Sequence, residues 1–325
     1  RRLVRGRRLQ AAAPFLLENP MNREKPFRTI DEQLDILESR GMAIPNRDTA
    51  AKYLLSNNYY TVVNGYKQLF LDPDRCNETE EVYKQGTSFS HLLLAHSFDR
   101  ILRTMTVNYI LMAESRMKTA LIYAFCEKHS EPDAYLDPAN YVPRAEYEKS
   151  HRKGTYTSNL IRLLSVLQSL RDGKQRTEYV EHYHKRYGNV PLWVIANCLT
   201  FGNLSAFYDL QTRGIQNVAA KHIAKSTGGG RITPEQLKQC FRTLVPFRNI
   251  CAHNERLFCS RAGKRGDVRY ADMAASLKLM LDDNEYQTFY KTAVQGTMRP
   301  LKDNRSLYDT IRTEMGLHPS ESEGR

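Results

Sequence analysis

The feature that most constrains this chain is a run of about forty residues, "SFSHLLLAHSFDRILRTMTVNYILMAESRMKTALIYAFCEKH", with neither proline nor glycine. At 1.5 Å per residue such a helix spans roughly 60 Å. Leu92, Leu93, His96, Leu102, Met105, Met112 and Phe125 put apolar stripes on more than one side of it. Other helices must therefore pack around it, and the run is the spine of the fold. The remaining pattern is helical as well. "FRTIDEQLDILESRG" sets Ile30, Leu34 and Leu37 three and four residues apart and stops at Gly41. A second helix is expected from Asn46 through "DTAAKYLLSN" into "NYYTVVNGYKQLF", with Tyr59, Tyr60 and Tyr66 read as core. "TSNLIRLLSVLQSLRD", "RTEYVEHYHKRYG" and "PLWVIANCLTFGNLSAFYDLQ" continue the period, as do two helices near residues 271 to 295 and one around "NRSLYDTIRTEM". With no tandem repeat and no strand run, the expected fold is all-α, an extended multi-helix bundle with a long central helix.

Two segments punctuate the helices. "EPDAYLDPANYVPRAEYE" carries three prolines and reads as a loop or lid. In "STGGGRITPEQ", three glycines give turn freedom before Thr233, Pro234 and Gln236, which read as N-cap, first helical residue and capping-box partner. The expected organisation is a basic N-terminal extension over residues 1–20, a helical region over 21–86 and a helical domain over 87–325.

The 325 residues carry a formal charge of +12, partly local, since "RRLVRGRR" holds five arginines. Without residues 1–20 the chain keeps 43 basic against 35 acidic residues, or +8. The body is basic on its own account, which suits a polyanionic partner such as nucleic acid. The segment before Met21 is read as an upstream, disordered or non-native extension and kept out of the fold. "LQAAAPFLL" is too short for a membrane span and no later stretch reaches eighteen uncharged apolar residues, so a soluble, cytoplasmic protein with no membrane partner is expected. The six cysteines form no C-x-x-C and read as free thiols, with no zinc site, metal or cofactor implied.

The chemistry concentrates in "LVPFRNICAHNERLF", Leu244 to Phe258. Cutting RNA without a metal requires the 2′-hydroxyl to attack its own phosphate, which needs a proton-passing group near neutral pH and a cation on the phosphate. Arg248 and His253 are such a pair, and Asn249, four residues before His253, shares its helix face. Pro246 is expected to kink the helix and help bring Arg248 to the same cleft. Spacing alone does not select this pair, because Arg144 to His151, Arg176 to His182 and Arg312 to His318 fit the same loose pattern. Its context does: a basic and an imidazole group inside a capped, apolar helix need a partner or a task. A structural Arg and His tying adjacent helices together is the alternative that chemistry leaves open.

"PFRNICAHNERLF" resembles the Arg-Asn-x-x-x-His motif of HEPN ribonucleases, and its extension through Asn254, Arg256 and Leu257 is similar to the Abi-like (AbiD/AbiF) abortive-infection proteins of bacteria. "TIDEQLDILESRGM", "YLLSNNYYTVVNGYKQLF" and "PLWVIANCLTFGNLSAFYDL" resemble the same family in order, from about residue 27 to 260. The resemblance implies an all-helical, metal-independent endoribonuclease that cleaves single-stranded RNA and leaves a 2′,3′-cyclic phosphate. It further implies a composite site between two protomers, because the chain has one good copy of the motif. In that reading His253 moves protons, Arg248 meets phosphate charge and Asn249 orients. Around the motif, Arg256 and Asn254, and Arg261, Lys264, Arg265 and Arg269 on a mobile basic loop, are the expected RNA-binding residues, with a merely solubilising loop as the alternative for any one of them. The partners implied are an RNA substrate, a second copy of the chain, and a small structured non-coding RNA as inhibitor or guide in a toxin-antitoxin-like phage-defence system. Two other readings remain: a non-catalytic RNA-binding scaffold, and a HEPN toxin controlled by a nucleotidyltransferase.

Overall fold

The computed structural model describes residues 27–77, 80–173, 177–263 and 265–317. The chain is helical throughout: α1 (Ile30–Ser39), α2 (Arg47–Ser56), α3 (Phe89–Lys128), α4 (Arg144–Tyr147), α5 (Tyr156–Arg171), α6 (Glu178–Tyr187), α7 (Leu192–Ile195), α8 (Phe201–Asp209), α9 (Arg213–Ser226), α10 (Pro234–Ala252), α11 (Tyr270–Met280), α12 (Asp283–Phe289) and α13 (Arg305–Met315). Isolated backbone bridges are the only β pairing among the described residues, so the fold is all-α. No helix among them is long and apolar enough to cross a membrane. The arginine-rich extension lies outside the described residues.

Two compact units divide the chain between Ser97 and Phe98, inside α3. In the first, Thr29 and Glu32 close a capping box at the start of α1, and Gly41 ends the turn after it at φ +90°. Leu34 and Leu37 are fully buried where α1 packs on α2. His96 is buried too, its Nδ1 2.6 Å from the Tyr53 hydroxyl. The second helix starts as expected, with the Asn46 side chain capping Thr49 N–H. It does not run on into "NYYTVVNGY": Asn57 turns extended, and Tyr60–Asn64 forms a separate π-helical turn. That break carries Tyr60 to the surface, 68% exposed, while Tyr66 is buried and Tyr59 half-buried.

In the second unit α3 supplies the axis. Phe98, Leu102, Thr106, Ile110, Ala113, Met117, Leu121 and Phe125 recur every three or four residues, and all are buried. Helices α8, α10 and α11 meet α3, through Phe207 on Phe125, Arg248 on Glu114 and Tyr270 on Thr106, and buried Leu, Phe and Ile side chains of α5, α7, α8, α10 and α11 add to the core. The proline-rich segment expected as a loop or lid is a loop, and it is packed down. Short 3-10 turns at Ala134–Leu136 and Pro138–Asn140 lead into α4, and Tyr135, Tyr141 and Val142 are buried. The Tyr135 hydroxyl donates to the Val190 carbonyl at 2.8 Å, and Tyr141 to the Tyr135 carbonyl at 2.6 Å. Prolines stop the helices there while phenols tie the chain down.

All six cysteines are free thiols. Burial pushes Cys126 and Cys259 up to about 11 and Cys240 and Cys251 up to about 12, so all four are protonated and unreactive at neutral pH.

The capping box that opens α10 gives a direct test. Thr233 Oγ1 accepts from Gln236 N–H at 3.2 Å, so Thr233→Ala is expected to lower the unfolding free energy by about 1 kcal/mol in urea titration, against no change if the cap were idle.

Candidate functional site

Helix α10 has one apolar face and one open one. Leu237, Cys240, Phe241, Leu244 and Phe247 are all at most 1% exposed, and the helix packs on α8, α9 and α11. Arg242, Asn249, Ala252 and His253 are exposed. The helix passes through Pro246 without a break.

The end of α10 is built with care. His253 is the C-cap, its N–H bonded to the Asn249 carbonyl at 2.9 Å, and Asn254 then adopts φ +60°. Glu255 N–H reaches back to the Ile250 carbonyl at 3.1 Å, completing a Schellman-type turn in which Asn takes the place usually held by Gly. A non-glycine residue in that conformation costs roughly 1–2 kcal/mol. A buried ion pair on α3 offsets it. Arg103 Nη2 donates to Asn254 Oδ1 at 2.6 Å, while its Nη1 donates to Asp99 Oδ2 at 2.7 Å and to the Glu255 carbonyl at 3.2 Å. The Asp99 carboxylate in turn accepts the N–H groups of Leu257 at 3.0 Å and Phe258 at 2.9 Å. Asp99 is 0% and Arg103 5% exposed. Such a pair is tolerable only because the loop fills its remaining hydrogen-bonding positions.

Ahead of this turn Asn249 and His253 face solvent, with Arg248 half-buried beside Asn249. Arg248 Nη1 lies 3.5 Å from Asn249 Oδ1, and its Nε 3.6 Å from Glu114 Oε2. Glu114 comes from α3, is 7% exposed, and its Oε2 accepts no hydrogen bond. Burial pushes its carboxyl above the ordinary range, with Arg248 and then Lys118 pulling it back. The His253 imidazole is exposed and has no hydrogen-bond partner among the described residues. A cation, an amide and an unengaged imidazole thus stand together at one helix end, open to a ligand too large for a closed pocket.

A family model described as Abi-like protein matches residues 52–259, taking in α3, α10 and the loop that Asp99 holds. The chain belongs to the Abi-like family. That membership supports a role in abortive infection. No curated protein and no solved structure matches the chain.

The Abi-like match stops just before the basic segment expected to track RNA, and that segment is not a loose loop. Ala262 and Val268 pair across a hairpin, with N–H to carbonyl distances of 2.9 and 3.1 Å. Arg261 bonds to the Glu314 carboxylate and, at 3.0 Å, to its carbonyl; Arg269 Nη1 donates to the Thr313 carbonyl at 3.2 Å. Both arginines are engaged by α13, and a phosphate would have to compete with Glu314 for Arg261. Arg265 is exposed near the hairpin tip, Arg256 is exposed after the turn, and Lys264 lies outside the described residues. Asn254 uses its side chain on Arg103. Among the other Arg and His pairs, His151 stacks on Tyr147 with centroids 3.9 Å apart and meets Lys238 Nζ at 3.1 Å. Arg176 and His318 lie outside the described residues.

Sequence reasoning missed Glu114, Asp99 and Arg103. All three are charged residues inside the apolar run of α3, and Asp99 and Arg103 stand four apart, a readable sign of a buried pair. Their partners, Arg248 on α10 and residues 254–258 in the loop after it, were not readable.

Asp99→Ala would leave Arg103 buried without its partner and is expected to lower the unfolding free energy by about 3–5 kcal/mol in denaturant titration. Glu114 tests the pH dependence. Its folded carboxyl sits above its unfolded value, so the stability it contributes is full below the unfolded value and is lost as pH rises through the folded one. Melting temperatures of Glu114→Gln relative to wild type should therefore rise as pH increases above the ordinary carboxylate range of about 4; a difference that shrinks with rising pH would contradict the assignment.

Proposed function

We propose that this Abi-like protein is a HEPN-type, metal-independent endoribonuclease of a bacterial anti-phage abortive-infection system, acting on single-stranded RNA in the cytoplasm. The observation that carries the reading is the exposed imidazole of His253, without a hydrogen-bond partner among the described residues, at the end of the helix that carries the Arg248–Asn249 contact. In the proposed reaction the RNA 2′-hydroxyl gives its proton to one His253 and its oxygen attacks the adjacent phosphorus. The bond from phosphorus to the 5′-oxygen breaks, and that oxygen takes a proton from the second His253 of a composite site, leaving a 2′,3′-cyclic phosphate. Arg248 meets the charge that builds on the phosphorane, and Asn249 holds the phosphate or the ring in register.

Two further observations support the assembly and the substrate. Ile101, Met105 and Leu111 stay exposed along one flank of α3, an apolar surface that a second copy would cover. The chain beyond residue 20 carries +8, which favours RNA both as substrate and, in the form of a small structured non-coding RNA, as inhibitor.

Purified protein in excess EDTA with a labelled unstructured RNA provides the test. Cleavage leaving 2′,3′-cyclic ends is expected, with His253→Ala and Arg248→Ala each slower by about 10² to 10⁴. RNA binding without cleavage by the wild-type protein would instead favour a non-catalytic RNA-binding scaffold.

A further inference from the structure

A groove of about 460 Å³ opens beside α3 in the second unit, lined by Lys118, Ile122 and Tyr123 of α3 together with Trp193 and, just past α7, Asn197. Its two aromatic rings are conspicuous for their exposure: Trp193 is 58% and Tyr123 59% exposed. Large aromatic faces left in water beside a concavity usually mark a binding surface. Tyr123 is also held in orientation, its ring meeting the His222 ring edge-on with centroids 5.1 Å apart. Lys118 connects this groove to the candidate active site. It lines the groove, and its charge acts on Glu114, the residue that faces Arg248. Along α3, Lys118 is one turn from Glu114 and Ile122 two, so the groove begins about 6 Å from Glu114 along the helix axis and reaches Ile122 at about 12 Å.

We infer that this groove is a nucleobase subsite for single-stranded RNA, in which one base stacks against Trp193 and Tyr123 while Lys118 takes the phosphate between the base and the catalytic turn. The inference rests on the ribonuclease reading for its substrate class. The lining matches that occupant in kind. Aromatic faces accept any base, the ammonium of Lys118 complements a phosphate, and the Asn197 amide offers both a donor and an acceptor to a base edge. The groove's one acidic residue, Glu127, is set against His222, 3.8 Å from its Nε2. Single-stranded rather than paired RNA follows from the chemistry, since a base must leave its stack to lie on an aromatic side chain.

Trp193 is the only tryptophan in the chain, so changes in tryptophan emission arise at this one side chain. The experiment titrates full-length His253→Ala, which cannot cut in the proposed mechanism, with an unstructured RNA oligonucleotide while following tryptophan emission, beside a blunt duplex of the same length. Saturable quenching by the single strand and little by the duplex is expected. In anisotropy measurements with labelled RNA, Trp193→Ala and Tyr123→Ala should each weaken binding about tenfold, and Trp193→Phe should retain most of it. These side chains are exposed, so unchanged helical circular dichroism checks that the variants fold.

RNA that binds without altering the emission, and with equal affinity for Trp193→Ala, would overturn the subsite. The outcomes separate the two readings. Cleavage by the wild-type protein with no quenching removes the subsite and leaves the nuclease; quenching with no wild-type cleavage leaves the subsite and removes the nuclease. No RNA binding at all overturns both.

Discussion

The site depends on one buried ion pair. Asp99 and Arg103, a turn apart on α3, are almost wholly removed from water, and neither could be there without the backbone of residues 254–258. The dependence runs both ways. The pair needs the loop's N–H and carbonyl groups to offset its desolvation, and the loop needs the pair to hold Asn254 at φ +60°. Because α10 can end only where that turn begins, the location of His253 is set from α3, about 150 residues earlier in the chain.

This division splits the motif into two halves with different physics. Asn254, Leu257 and Phe258 are tied to the ion pair: the exposed Asn254 bonds Arg103 through its side chain, and the other two residues are buried with their N–H groups on Asp99. Arg248, Asn249 and His253 face outward, with Arg248 resting at 3.6 Å from a carboxylate that burial keeps reluctant to ionise. A loosely held guanidinium can turn to a phosphate at little cost, whereas Arg261, fixed by three carbonyls and a carboxylate, cannot. The same helix α3 that fixes the turn also sets Glu114 against Arg248 and supplies Lys118 and Tyr123 to the groove, so one element touches both the proposed catalytic residues and the proposed base-binding positions.

Local signals were the legible ones. The unbroken run of α3, the Asn46 cap, the capping box at Thr233 and Gln236 and the stop at Gly41 are set by residues within four positions of each other, and all stand where the sequence puts them. The misses involve distant partners. "EPDAYLDPANYVP" reads as a loop or lid because its prolines forbid regular helix; it is a loop, but Tyr135 and Tyr141 hold it down through carbonyls that no local pattern announces. The basic residues from 261 to 269 looked free because their neighbours are polar, and α13 engages two of them from more than forty residues away. Tyr60 looked like core because it adjoins buried Val62 and Val63, but the break at Asn57 turns it outward.

Equilibrium urea unfolding of His253→Ala and Asn254→Ala, measured side by side, tests most directly whether adjacent residues of this motif do different jobs. His253→Ala should leave the unfolding free energy within about 0.5 kcal/mol of wild type. Asn254→Ala should lower it by about 2 kcal/mol or more, since it strains a left-handed residue and strips Arg103 of an acceptor. A comparable loss at His253 would mean that the imidazole is a structural tie between helices, and the catalytic reading of the outward half would fall with it.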